Sequence, residues 1–202
     1  SYGSEPMPAS TLTRMHQIFP DVRMKQTYGL TELGAIRTKS KSSDSLWMKI
    51  GGDVHHQTKV VNGILYVRSD MAMLGYLNAE APFDEEGWYN TGDHVEVDGD
   101  YFLIQGRDCE RINVGGEKVY PAEVESVLLS IEGVEDAAVV GVPNLILGQV
   151  VEARIYSNED QSLLTKRIKA VCKEKLEKYK RPMKIVYVDA PFCSDRFKKK
   201  RS

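Results

Sequence analysis

No run of apolar residues in this 202-residue chain is long enough to cross a bilayer as a helix. The opening residues, SYGSEPMPAS, have neither the basic start nor the apolar middle of a secretory signal. Only three cysteines occur, Cys109, Cys172 and Cys193, and none has a near neighbour that would suggest a zinc site or a redox dithiol. They read as reduced thiols, and a cytoplasmic location is expected. Positive charge is not in surplus either: 27 Lys and Arg stand against 29 Asp and Glu, a formal net charge of -2. That balance argues against a general nucleic-acid binder, which needs a broad basic face to neutralise phosphates. The four histidines, His16, His55, His56 and His94, come without a Gly-x-Ser-x-Gly elbow, so a serine hydrolase is not indicated. What the chain does have is 42% hydrophobic residues, enough for the core of one ordinary domain or two small ones. It does not begin with Met and opens on a turn-like stretch, which reads as an excised piece.

The patterning changes along the chain. ASTLTRMHQIF (9–19) places Leu12, Met15, Ile18 and Phe19 at helical spacing behind Ser10, a candidate cap. Asn62-Gly63, a strong short turn signal, precedes the alternation of Ile64, Tyr66 and Arg68, and Val95 and Val97 alternate with charges ahead of the DGD turn at 98–100. The middle third is therefore expected to be mostly strand. Beyond Gly106–Cys109 the sequence predicts a helix from Pro121, two strands around PNLILG, and a helix whose stripe is Leu164, Ile168, Val171 and Tyr179. A last strand, MKIVYVD, closes an α+β unit.

Four stretches carry groups suited to chemistry. YGLTE offers the Tyr28 ring, the small Gly29, the Thr31 hydroxyl and the Glu32 carboxylate within one turn of chain, enough to pack a purine, bond a phosphate and hold Mg²⁺. TGD supplies Asp93, whose carboxylate suits a vicinal diol such as ribose. GRDCER supplies the planar fork of Arg107, and VGGEKVYPAE has Gly115 and Gly116, where a ligand or another backbone can approach closely. Read singly these are, in turn, a loop ending a strand, an Asx-type turn, a surface ion pair and a hairpin turn.

Their joint order resembles the adenylate-forming enzymes, which include acyl-CoA synthetases, peptide-synthetase adenylation domains and luciferase. The resemblance runs from GSEPM to Lys198 through YGLTE, GILYVRSDMAMLGYLN, GWYNTGD, GRDCERINVGGEKVYPAEVE and KYKRPMKIVYVD. It implies an α+β fold: residues 1–106 as the end of a large domain with a small β-barrel-like subdomain, and 107–202 as a compact mobile C-terminal lid. It also implies roles. Tyr28 and Gly29 would lie against the nucleotide, Thr31 would bond the α-phosphate, and Glu32 would hold Mg²⁺. Gly3 and Glu5 match the turn beside adenine, and Asp93 with Arg107 the pair that holds the ribose. Gly115 and Gly116 match the loop that, after a domain rotation, helps form the pantetheine channel. The implied activity joins a carboxylic acid to CoA through acyl-AMP, with ATP and Mg²⁺. Loading the phosphopantetheine of an acyl carrier protein, or a non-catalytic docking role, are the alternatives. The wording of GGEKVYPAEVE is nearer to acyl-CoA synthetases.

Three departures qualify the resemblance. The family's Ser/Thr/Gly-rich phosphate loop is not found ahead of Tyr28, so this chain alone is expected to show no acid-dependent exchange of pyrophosphate into ATP. Cys109 stands at the hinge where the family usually has Asp or Lys, and it is expected to act as the pivot all the same, because a pivot needs backbone freedom more than a particular side chain. The closing CSDRFKKKRS resembles a basic tail, yet counting from Val188-Asp189 places Lys198 at the family's catalytic lysine, whereas counting from Pro191 places Phe197 there. The strand fixes register better than one loop proline, so Lys198 is the expected catalytic residue.

Overall fold

A computed structural model describes residues 1–3 and 5–192. Lys198 and Cys193 lie outside the described residues. Contacts divide the chain into two compact units: residues 1–7 with 12–109, and residues 8–11 with the chain from Glu110 onward.

The chain begins with helix α1 (Ala9–Ile18), which buries Leu12. Ser10 falls inside this helix rather than ahead of it, so it does not serve as the expected cap. Strands β1 (Tyr28–Leu30) and β2 (Gly34–Ile36) form a short hairpin. Six further strands follow: β3 (Thr38–Ser40), β4 (Met48–Ile50), β5 (His56–Val61), β6 (Ile64–Ser69), β7 (Trp88–Asp98) and β8 (Tyr101–Arg107). They make one curled antiparallel sheet in the order β3-β4-β8-β7-β6-β5. The β5–β6 turn explains the Asn-Gly signal: Asn62 and Gly63 both have positive φ, 53° and 81°, as a tight hairpin turn of matching twist requires. Period-two alternation then sends Leu65 and Val67 inward to meet Tyr28, Leu33, Ile36, Met48, Ile50 and Val95. Tyr66 and Arg68 go outward, where Lys59 and Arg68 lie 4.2 and 5.1 Å from the centre of the Trp88 ring.

In the second unit, β9 (Ile112–Val114) and β10 (Glu117–Val119) form a hairpin, and helix α2 (Pro121–Leu129) starts with the proline where its missing N–H costs nothing. Strands β11 (Asp136–Asn144) and β12 (Gly148–Tyr156) pair antiparallel. Helix α3 (Gln161–Lys175) is capped by Asp160, which accepts from the Leu163 N–H at 2.9 Å. It returns the chain to β13 (Lys184–Val188), which pairs parallel with β12. The core is built from Val124 and Leu128 of α2, Val139, Val151 and Ile155 of the strands, and Leu164 and Ile168 of α3. The buried stripe of α3 continues through Cys172 to Leu176; Tyr179 lies beyond the helix in a 3₁₀ turn (Lys178–Lys180) and is only partly buried. The same turn brings Lys180 within 2.7 Å of Glu123 and 3.0 Å of Glu177. Burial works to lower the Lys180 ammonium, yet the two carboxylates prevail and raise it.

Candidate functional site: a buried aspartate between a tyrosine and an arginine

The centre of the candidate site is Asp93. The β7–β8 register sets Asp93 directly opposite Arg107, and the β1 hairpin carries Tyr28 against them. The Tyr28 hydroxyl donates to Asp93 Oδ2 at 2.6 Å, and Arg107 Nε lies 3.5 Å from Oδ1. Asp93 is only 6% exposed. Burial pushes its carboxyl above the usual range, against the opposing pull of the Tyr28 hydroxyl and the Arg107 guanidinium. Burial, and then the Asp93 charge, raises the Tyr28 phenol in turn. Thr91 braces the strand from inside: its hydroxyl donates to the Leu65 carbonyl at 2.7 Å and accepts from the Asp93 N–H at 3.1 Å. Arg107 itself is exposed, so its fork has donors to spare for a ligand.

The turn between β1 and β2 presents Thr31 and Glu32. Gly34 follows at φ 69°, the left-handed position that lets the hairpin close. Thr31 is exposed and Glu32 half-buried. The sequence did not signal what holds Glu32. Tyr76 donates its hydroxyl to Glu32 Oε1, and the Met73 N–H donates to the Glu32 carbonyl at 2.9 Å, so the loop after β6 is tied to this residue twice. The Tyr76 bond holds the Glu32 carboxyl below its ordinary value, with a smaller contribution from Tyr89, and pushes the Tyr76 phenol up to about 12. Only the LGYLN wording of the resemblance touched Tyr76.

Gly29 shows why a small residue precedes this turn. A Cβ there would sit 2.7 Å from the Gly34 carbonyl oxygen and 3.1 Å from the Ala35 Cα, both backbone atoms of the paired strand. Gly29→Ala is expected to cost about 1–3 kcal/mol of stability by overpacking, measurable by chemical denaturation. Gly3 is brought beside the same segment. Tyr2 bridges Gln26, the Thr27 N–H donates to the Tyr2 carbonyl at 2.7 Å, and a Cβ on Gly3 would press on Thr27. Glu5 lies close by in sequence and is half-buried.

The remaining candidates lie elsewhere. Cys109 is exposed, in a 3₁₀ turn (Asp108–Glu110) directly after β8. Gly115 and Gly116 form the β9–β10 turn in the second unit, at φ 60° and 95°, and the Gly115 N–H donates to the Leu147 carbonyl at 2.9 Å. Leu145 and Ile146 beside it are fully or almost fully exposed. Cys109 and Cys172 are free thiols, the second buried and raised to about 11 by that burial. Among the described residues no three His, Cys, Asp or Glu side chains cluster as a metal site, and no helix is long and apolar enough to cross a membrane.

Comparison with known proteins gives this fold its class. Residues 123–199 match the family described as AMP-binding enzyme C-terminal domain. The crystal structure of an anthranilate CoA ligase in complex with anthranoyl-AMP superposes with a TM-score of 0.79 at 25% identity, over 98% of this chain and 42% of that one. ATP-bound MatB from Rhodopseudomonas palustris gives 0.75 at 25% identity, over 93% and 41%. Among curated proteins, an uncharacterized acyl-CoA ligase of Bacillus subtilis is 32% identical over 91% of this chain and 40% of its own length. A long-chain-fatty-acid–CoA ligase of Mycobacterium tuberculosis is 30% identical over 93% and 40%. The chain belongs to the adenylate-forming acyl-CoA ligase family and corresponds to the C-terminal portion of its members. It spans about 40% of the length of these curated relatives.

Proposed function

We propose that this chain supplies the ribose-binding pair, the phosphate-facing turn and the C-terminal domain of an ATP-dependent acid–thiol ligase. The single observation that carries this reading is the buried Asp93 carboxylate held between Tyr28 and Arg107. A carboxylate kept ionised against a burial penalty is an acceptor for two hydroxyl donors in cis, the pattern a ribose diol presents. In the proposed reaction the substrate carboxylate attacks the α-phosphorus of ATP, pyrophosphate leaves, and the acyl-AMP anhydride forms. A thiol then attacks the acyl carbon and AMP leaves. Thr31 would donate to the α-phosphate, and Arg107 would face the ribose with Asp93.

Glu32 is a half-exposed carboxylate whose ionised form is favoured, which fits Mg²⁺ held through one carboxylate and the nucleotide's own oxygens. Mg²⁺ bound there would draw off charge building on the phosphate oxygens. The thiol acceptor proposed is the pantetheine of CoA, with Gly115 and Gly116 lining its approach, Cys109 serving as the pivot, and Lys198 acting on the reacting phosphate. The curated relatives carry CoA-ligase names, which supports CoA as acceptor.

The test is calorimetric titration of the chain with AMP and with 2′,3′-dideoxy-AMP. Saturable binding of AMP that weakens by about tenfold or more without the diol is expected, since each charge-assisted hydrogen bond is worth about 1.5–3 kcal/mol. Equal binding of the two nucleotides, or none of AMP, would reject the ribose assignment.

A further inference from the structure

His94 follows the candidate ribose residue directly, yet the proposed reaction gives it nothing to do. Neighbouring residues of a strand point to opposite faces, so His94 faces away from Asp93. Its ring is nearly buried, 5% exposed. On that far side Nε2 lies 2.8 Å from Asp108 Oδ1, and because a carboxylate only accepts, Nε2 carries the hydrogen. The other edge of the ring rests on the β5–β6 turn, where a Cβ on Gly63 would come within 3.3 Å of Nδ1. The Gly63 carbonyl in turn accepts from the Val95 N–H at 2.8 Å. The ladder slips just here: His94 opposes Gly106 but Val95 opposes Ile104, so Gln105 bulges out of register, its side chain donating to Glu96 Oε1 of β7 at 2.5 Å. The strand end that carries Arg107 is therefore joined to the sheet through an irregular stretch, and the 3₁₀ turn after it buries none of its three side chains.

We propose that His94 and Asp108 form a clasp that fixes this strand end, which makes His94 a positioning residue for Arg107. The role rests on the ribose reading of Asp93 and Arg107. Asp108 is the residue after Arg107, so anchoring it on one face of the sheet stops the backbone of Arg107 from turning away from Asp93 on the other. The same anchor confines backbone freedom to the residues that follow, where Cys109 stands. Local opening of such a segment depends on the few side-chain links that hold it.

Trypsin cleavage after Arg107 in the 202-residue chain reads the clasp directly. His94→Phe and Asp108→Ala are each expected to speed that cut about tenfold and to weaken AMP binding about threefold to tenfold, as loss of one charge-assisted bond at a frayed end implies. His94→Gln, which keeps an N–H donor at similar reach, should restore both to within about twofold of wild type. Combining His94→Phe with Asp108→Ala should add little to either alone. An unchanged rate at Arg107, or an equal rise at Arg68 in the body of the same unit, would overturn the clasp. Asp108 is half exposed, so Asp108→Ala keeps the question open to measurement if His94→Phe folds poorly. Failure of the wild-type chain to bind AMP would instead overturn the nucleotide reading, and the Arg107 cleavage rate would still decide the clasp.

Discussion

Asp93→Ala is expected to reduce AMP affinity by about 10²-fold to 10⁴-fold, since two charge-assisted hydrogen bonds to a ribose are together worth about 3–6 kcal/mol. Asp93→Asn should fall between, because one carbonyl oxygen still accepts while the charge is lost. Stability should respond in a different direction with pH. Burial raises the Asp93 carboxyl in the folded chain, so its contribution to folding is fully present below the ordinary aspartate value of about 3.9 and is lost as pH rises through the folded value. At neutral pH the charge of Asp93 is thus a burden on the fold. Alanine removes that burden but strands the Tyr28 hydroxyl, whose unmet bond costs about 1–3 kcal/mol. Denaturation of wild type and Asp93→Ala from pH 4 to pH 8 should show the mutant flatter over this range, and a steeper profile in the mutant would contradict the assignment of the burial penalty to Asp93. A site that keeps a costly charge while losing its ligand on mutation is what a binding role, rather than a structural one, requires.

The second large effect concerns Lys198. In the native protein, Lys198→Ala should depress acyl-AMP formation by about 10²-fold to 10³-fold, the usual consequence of removing one group that stabilises charge developing on a reacting oxyanion. Acyl transfer from preformed acyl-AMP to CoA should change by no more than about threefold, because there the thiol attacks the acyl carbon and phosphorus keeps its four oxygens throughout. Rates of pyrophosphate exchange and of thioester formation, measured separately, give the two numbers. Equal loss in both half-reactions would sink the assignment, as would a larger loss from Lys199→Ala or Lys200→Ala.

Much of the fold could be read from local pattern. The Asn62-Gly63 turn, the alternation in β6 and the proline opening α2 each reflect a constraint within a few residues of chain. The α3 stripe was legible in Leu164 and Ile168, which are buried, and in Val171 and Tyr179, which pack partly buried against the same core, but not in Cys172 and Leu176, which complete its buried end. The parallel pairing of β13 with β12 has no local signature at all. The candidate site divides the same way. Tyr28, Asp93 and Arg107 were singled out by residue type and by resemblance, while their meeting depends on a register between β7 and β8 and on a hairpin 65 residues upstream of Asp93. The role of Tyr76 has no local signature, because it reaches Glu32 across 44 residues. His94 has no role legible in the sequence, because a lone histidine carries no message until Asp108 is placed against its ring.

Trp88, braced between Lys59 and Arg68, and Trp47 are the chain's only two tryptophans, and both lie in the first unit. Indole emission therefore reports on one half of the polypeptide while the other half stays dark. A melting curve followed by fluorescence and one followed by far-ultraviolet dichroism would coincide only if the two halves lose structure together. A gap between the midpoints would measure, without any label, how far each half stands on its own.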